Sequence, residues 1–284
     1  ILLILIVLLI LTKCTKSSEE SIVFKDKTFE NMIKKELGKD EIYPSDLKNY
    51  TGILIAADRL MSFSGNGKDT ESTILYGYDS FEYNGKRYTE YGTIKSLEDL
   101  ENFPKLTSVR VYLQPNIDFN TIPNKDNINN LGLSQNKISD LTFLKGFDNI
   151  IYLTLSSNQI ETIDGIQNVT KSKRLSFNSN KISDISLLNN LTNLEYLDLT
   201  YNNVNDLTPL SGLSKLEYLS LYENGLSNIE PLSNIKSLKE LYLNNNNITD
   251  ISPLKEFESF DSLNISGNKI TNLDEISHIK NVVK

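Results

Sequence analysis

The chain of 284 residues is long enough for one or two domains, and its 39% apolar residues suffice to build a core. A formal net charge of −8 argues against an electropositive nucleic-acid groove. One histidine, one cysteine and no tryptophan exclude an internal disulfide and any Cys/His metal spacing, and nothing in the sequence calls for a cofactor.

The sequence opens ILLILIVLLILTKC. The apolar run from Ile1 to Leu11 is shorter than the roughly 20 residues a bilayer span requires, and it fits the h-region of a secretory signal. No methionine or basic n-region precedes it, so the front reads as clipped. Cys14 follows directly. Its setting resembles the lipobox of bacterial lipoproteins, with Leu11 in the first position and Thr12 in the second. Lys13 departs from that pattern, which expects a small residue before the cysteine. The resemblance implies a signal segment over residues 1–14 and a lipid on Cys14 that holds the protein to the membrane. A stub of a longer membrane anchor, or a chance cysteine in a leader, would export the protein equally. Residues 15–21 read as a polar tether.

Residues 22–61 read as a cap. In DKTFENMIKKELG, Asp26 is placed as N-cap, Phe29, Met32, Ile33 and Leu37 form one apolar face, and Gly38 sits past the end. An imperfect repeat follows, with Ile53, Ile55 and Leu60 in its apolar positions. Residues 62–93 read as an insertion, and Asn84-Gly85 between aromatic-rich arms predicts a tight hairpin. Its tyrosines (Tyr76, Tyr78, Tyr83, Tyr88, Tyr91) suit a second contact surface or a small satellite core.

Residues 94–284 carry a repeat. Asparagine recurs every 22 residues at Asn136, Asn158, Asn180, Asn202, Asn224, Asn246 and Asn268. Apolar columns keep the same step, among them Leu131 to Leu263, Leu133 to Ile265 and Ile138 to Ile270. An alternating triplet such as Leu241-Tyr242-Leu243 predicts a short strand with both leucines inward. The chain must then turn inside the solenoid, where buried backbone groups lack strand partners. A carboxamide can satisfy them in its own coil and the next, whereas aspartate would bury a charge and leucine would leave them orphaned. The remainder steps by three (Ile248, Ile251, Leu254, Phe257), which suits 3₁₀ turns. In the run Asn244 to Asn247, only Asn246 is expected to be structural. Upstream, Gln114 and Asp58 occupy degenerate asparagine slots. Downstream, the next strand is expected near residue 285, and either further chain, another domain or a subunit would cover that edge.

The unit L-x-x-L-x-L-x-x-N-x-I resembles the leucine-rich repeat, and ITDISPLKEF or VNDLTPLSGL resembles the 22-residue class of bacterial internalins. That resemblance implies an α/β solenoid. It would be a right-handed superhelix with a parallel concave sheet, 3₁₀ turns on the convex side and a helical N-terminal cap.

In such a strand the residues beside the leucines face the concave surface. One column then contains Tyr152, Arg174, Tyr196, Tyr218 and Glu240; its neighbour contains Asp198 and Tyr242; Tyr201, Tyr222 and Glu223 flank them. Tyrosine and arginine are enriched at interface hot spots, so these residues are the candidate partner-binding set. The bland alternative is a stabilising ladder, with stacked tyrosines and Arg174 between Tyr152 and Tyr196. The two readings are compatible.

Other signals carry less. SGNGKDT (64–70) has Asp69 where a phosphate loop needs Ser or Thr, so it reads as a solvated loop. His278 is isolated, Glu98 and Asp99 read as solvent-facing charges, and the Asn-x-Ser/Thr triplets read as composition. The expected function is non-enzymatic: a cell-surface module binding a protein ligand. The internalin resemblance implies a host-cell protein as partner. The alternatives are an envelope scaffolding lipoprotein that binds the bacterium's own proteins or glycans, and the non-catalytic part of a longer enzyme.

Overall fold

The computed structural model describes residues 19–65, 74–76, 81–83 and 85–284. The leader with Cys14, most of the tether and of the 64–70 loop, Tyr78, Asn84 and the side chains of Tyr76 and Tyr83 lie outside the described residues. Among the described residues no helix is long and apolar enough to cross a membrane.

Helix α1 (Lys27–Leu37) forms where the spacing predicts it. The Asp26 carboxylate accepts from Phe29 N, Gly38 leaves the helix at φ +66°, and Phe29, Met32 and Ile33 are buried. A short turn, α2 (Pro44–Leu47), leads into β1 (Tyr50–Ala56). The chain then reverses into β2 (Leu60–Gly65), antiparallel to β1, before a separate three-stranded sheet of β3 (Ile74–Tyr76), β4 (Phe81–Tyr83) and β5 (Lys86–Tyr88). Tyr83 pairs with Lys86, so β4 and β5 are joined by a two-residue turn, with Gly85 at φ +74°.

From there one strand arrives per coil: β6 (Ser108–Tyr112), β7 (Asn130–Gly132), β8 (Tyr152–Thr154), β9 (Arg174–Ser176), β10 (Tyr196–Asp198), β11 (Tyr218–Ser220), β12 (Glu240–Tyr242), β13 (Ser262–Asn264) and β14 (Val282–Val283). They pair in parallel and in sequence order, and β1 joins β6 through Ile53↔Val109, so the main sheet has 11 strands. It is parallel except at β2, an antiparallel edge strand that the repeat pattern could not announce. Each strand from β7 to β13 puts its leucine inward, β6 puts Val109 and Val111 there, and the return arcs are built of 3₁₀ turns such as Thr208–Leu210 and Ser252–Leu254. The apolar triplet rhythm continues through the arc: Val204, Leu207, Leu210, Leu213 and Leu216 are all buried. The fold is a leucine-rich repeat solenoid.

The asparagine column forms a buried ladder. Asn202 Oδ1 accepts from Ile182 N (2.9 Å), while its Nδ2 donates to Phe177 O (3.0 Å) and to Leu199 O (3.0 Å) of its own coil. Asn180 repeats the arrangement one coil earlier, and Asn224 and Asn246 one and two coils later. Asn136 reaches Gln114 N and Val111 O, Asn158 reaches Asn136 N and Leu133 O, and Asn268 reaches Ile248 N and Leu243 O. Every bond between coils runs to the preceding coil, not to the next as the sequence suggested. The reason is the Nδ2 position, which lies under the carbonyl 25 residues upstream. Gln114, one methylene longer, does the same work in the degenerate slot through Ala57 O (2.8 Å).

Three expectations are corrected. Asp99 is 1% exposed, because its two oxygens accept from Lys25 N and Asp26 N (2.8 Å each) and tie the cap to the first coil. Asn245 and Asn247 are not passive: Asn245 takes a left-handed turn at φ +55°, and Asn247 Nδ2 donates to Gly225 O (3.2 Å). The last strand starts at Val282 rather than near 285, since Leu263 pairs with Val282. The final coil runs Ile270, Leu273, Ile276, Ile279, Val282, one apolar triplet shorter than its predecessors.

Two predictions follow from this scaffold. Asn202→Ala leaves the buried Ile182 N–H unpaired, at about 1–3 kcal/mol, and takes one of two donors from each of the Phe177 and Leu199 carbonyls, which keep Asn180 Nδ2 and Asn224 Nδ2. Urea unfolding should therefore show a loss of at least about 1 kcal/mol, against under about 0.5 kcal/mol for the exposed Asn247→Ala; similar losses for both would contradict the ladder.

The second concerns Asp184, Asp206 and Asp250, whose Oδ1 atoms accept from Ser186 N, Thr208 N and Ser252 N at the start of each return arc. For Asp184 and Asp250 the backbone bond, and for Asp206 the Thr208 hydroxyl, is the main cause holding the carboxyl below its ordinary range. Folding thus favours the charged form; the stabilisation is complete above the ordinary carboxyl range and fades as pH falls through the depressed values. Asn228 already plays this part with Glu230 N (2.9 Å). The triple variant Asp184→Asn, Asp206→Asn, Asp250→Asn should keep its thermal midpoint at neutral pH and lose less of it on acidification than the parent.

Candidate functional site

The sheet face is built from the two strand positions that flank each inward leucine, with the turn residues that follow. Across β9 to β12 the predicted residues meet in one contiguous row. The Arg174 guanidinium lies 4.1 Å over the Tyr196 ring. Tyr196 stacks on Tyr218, with centroids 4.1 Å apart and planes 11° from parallel, and Tyr218 meets Tyr242 at 5.5 Å and 42°. Tyr242 Oη donates to Glu240 Oε2 (3.1 Å). The order follows from register, since Tyr196 pairs with both Arg174 and Tyr218.

A second cluster stands on the turns. The residue just before each ladder asparagine adopts a left-handed backbone: Gln135, Ser157, Ser179, Tyr201, Glu223, Asn245 and Gly267 all have positive φ. Tyr201 (φ +53°) and Glu223 (φ +55°) occupy this position although neither residue type favours it. Tyr201 Oη donates to Tyr222 Oη (2.9 Å), with the rings 4.8 Å apart, and Asn245 Nδ2 donates to Glu223 Oε1 (2.9 Å). Asn245 was missed in the sequence because its column shares a backbone conformation rather than a residue type. Tyr152, 45% exposed, stands one strand before Arg174 without joining the stack, and Tyr201 is 48% exposed. Asp198 is half-buried and spends one oxygen on Thr200 N (3.0 Å).

Burial is the main reason the Tyr218 and Tyr196 phenols are pushed above the ordinary range, with Tyr196 and Asp198 respectively adding charge repulsion. The Tyr201 phenol is also raised, chiefly by its hydrogen bond with Tyr222. Beside the row, a depression of about 1160 Å³ opens over β8 to β10, bordered by Tyr152, Thr154, Arg174, Ser176, Asp198 and Tyr201. Its floor contains hydroxyl pairs between coils, Ser156 with Ser176 (2.8 Å), continued by Thr200 with Ser220 (2.6 Å). Among the described residues no group of three His, Cys, Asp or Glu is placed to hold a metal ion. The His278 ring meets Phe257 O (3.0 Å). The arrangement offers contact area, oriented hydroxyls and separated charges; it assembles no nucleophile with a base.

The profile of leucine rich repeats (two copies) matches residues 173–212 and 214–256. No curated protein matches the chain. Among solved structures, internalin C2 from Listeria monocytogenes is similar at 24% identity over 93% of this chain and 97% of that one, with a TM-score of 0.57. An internalin (inlF) from the same organism is similar at 22% identity, over 94% and 97%, with a TM-score of 0.54. A leucine-rich repeat protein of Leptospira interrogans shares 21% identity over 69% of this chain and 53% of its own, with a TM-score of 0.58. At these identities the likeness is one of fold.

Alkaline titration followed by phenolate absorbance should be biphasic. Tyr196 and Tyr218, raised by burial, should form the late phase. Replacing both by phenylalanine should remove amplitude from the late phase only; loss from the early phase would show that the stack does not shield them.

Proposed function

We propose that the chain is a non-enzymatic recognition module, and that the sheet face over β8 to β12 docks a protein. The observation that carries this reading is the use of the ring faces. Tyr196 is covered on one face by Tyr218 and meets the Arg174 guanidinium at 4.1 Å, so its faces are already occupied. A sugar needs a free aromatic face to stack on; Tyr196 and Tyr218 at the centre of the face present ring edges and hydroxyls instead, with the exposed Tyr152 outside the stack. Such surfaces suit a protein partner, where rigid tyrosine anchors supply area at low entropic cost. The same observation weighs against the glycan-binding scaffold.

The internalin-like 22-residue repeat and the lipobox-like Cys14 support an exported, lipid-anchored bacterial surface protein whose partner lies outside the bacterium, a host-cell protein in the adhesin reading. An envelope protein of the same bacterium is the alternative partner. Capture on the immobilised protein, from host-cell surface extract and from the bacterium's own envelope in parallel, separates the two. Tyr152→Ala with Tyr201→Ala removes the exposed rings without opening the stack. Binding of the captured partner should fall at least about tenfold, with a thermal midpoint close to the parent's. Undiminished binding would move the docking surface elsewhere. Cys14→Ala should release the protein from the membrane fraction; if it stays bound, the anchor is of another kind.

A further inference from the structure

The charges of the sheet face are sorted along the solenoid. From β6 to β9 the outward strand positions are Ser108, Arg110, Asn130, Gly132, then Tyr152 with Thr154 and Arg174 with Ser176: two arginines and no carboxylate. Carboxylates begin with Asp198 and continue at Glu240 and, on the turn, Glu223. These two arginines, Arg110 on β6 and Arg174 on β9, run against the net charge of −8 of the chain.

Arg174 is the exposed member of that pair. Its guanidinium carbon packs 4.1 Å from the Tyr196 ring centroid, and among the described residues no carboxylate lies within ion-pair distance and no hydrogen bond engages its guanidinium. Neighbouring lysines differ, since Lys173 pairs with Glu195 (2.8 Å), Lys181 with Glu161 (3.0 Å) and Lys239 with Glu217 (2.7 Å). The depression beside Arg174 is lined mainly by hydroxyl and carboxamide side chains, with Lys181 and Asp198 beside them. Ser156 and Ser176 share one hydrogen bond, which leaves the pair one free O–H. The Asn178 oxygen already accepts from Ser179 Oγ, which leaves its NH₂ to donate. Asp198 lies on β10 directly opposite Ser176, and its charge limits the seat to one carboxylate on the β8 side of Arg174.

We propose that this depression seats a single carboxylate from an acidic segment of the partner protein, taken in a fork by Arg174 with the Ser156/Ser176 hydroxyl and the Asn178 amide as further donors. This rests on the protein-docking reading and adds polarity to it: the partner's acidic segment lies over β8 to β9, and its neutral or basic part over β10 to β12. A guanidinium packed on a ring is pre-organised for bidentate carboxylate binding, which an ammonium cannot reproduce.

The test is fluorescence anisotropy with a labelled Glu-Gly decapeptide, beside its Gln-Gly and Lys-Gly counterparts, at about 50 and 300 mM salt. The acidic peptide should bind saturably and more weakly at the higher salt. Arg174→Gln should weaken it at least about tenfold, Arg174→Lys several-fold, and Asp198→Asn should tighten it. A thermal melt of Arg174→Gln within a few degrees of the parent excludes a folding defect as the cause. The proposal is overturned if the acidic peptide does not saturate, if the lysine peptide binds as well, or if Arg174→Gln changes nothing. Displacement of the peptide by sialyllactose at lower concentration also overturns it, by giving the depression to an acidic glycan. If the Tyr152/Tyr201 variant loses the captured partner while Arg174→Gln keeps it, the docking face stands and only the carboxylate seat falls.

Discussion

One carboxamide per coil is the interaction on which the rest depends. A coil of this solenoid must turn between its strand and its return arc while still inside the core, and the turn strands a backbone carbonyl and an N–H that no sheet ladder reaches. The ladder asparagine supplies an acceptor and two donors at that point, bonding to its own coil and to the one before it. Buried polar groups left unpaired would each cost about 1–3 kcal/mol, a large fraction of the stability of any protein. A carboxamide offers both polarities without charge, and departures from asparagine fall at the degenerate end, with Gln114 and Asp58.

From this staple the geometry of the face follows. It fixes the strand starts 22 residues apart and in register, so same-column side chains sit on adjacent strands and can stack. It also imposes the left-handed turn just before each asparagine, and that turn carries Tyr201, Glu223 and Asn245 to the rim. A surface held this way has little freedom to lose on binding, and pre-organisation of that kind favours affinity without extra contact area.

The parts legible in the sequence were those that repeat. The asparagine and leucine columns announced the solenoid, and Asp26, Phe29 and Gly38 announced the capping helix, because each signal is local or periodic. What stayed hidden depends on single, distant partners. The pairing of β2 with β1 has no repeat behind it. The burial of Asp99 rests on backbone groups of Lys25 and Asp26, more than seventy residues away. The early arrival of β14 reflects one omitted triplet, invisible where no later coil fixes the count. At the face, the tyrosines were readable as a column, but their mutual coverage was not, since it depends on ring tilt. The positive-φ column escaped notice because Gln, Ser, Tyr, Glu, Asn and Gly share no side-chain chemistry.

The division between scaffold and surface is therefore sharp at most coils and blurred at two. Where the outward residues are Ser, Thr or Asn, the leucines and the carboxamide ladder carry the fold, and the face can vary at little cost in stability. At β10 and β11 the half-buried Tyr196 and Tyr218 both close the surface of the sheet and present it. Truncating them removes stacking and burial as well as any contact with a partner, so a loss of binding there has two causes that cannot be separated. Exposed Tyr152, Tyr201 and Arg174 do not share that ambiguity. Tyr201 in particular holds a backbone conformation that costs a non-glycine residue about 1–2 kcal/mol, in a column where Ser, Asn and Gly fill other coils more cheaply. A fold that needed only the turn has no use for a tyrosine at that position; a surface that needs an aromatic edge at the rim does.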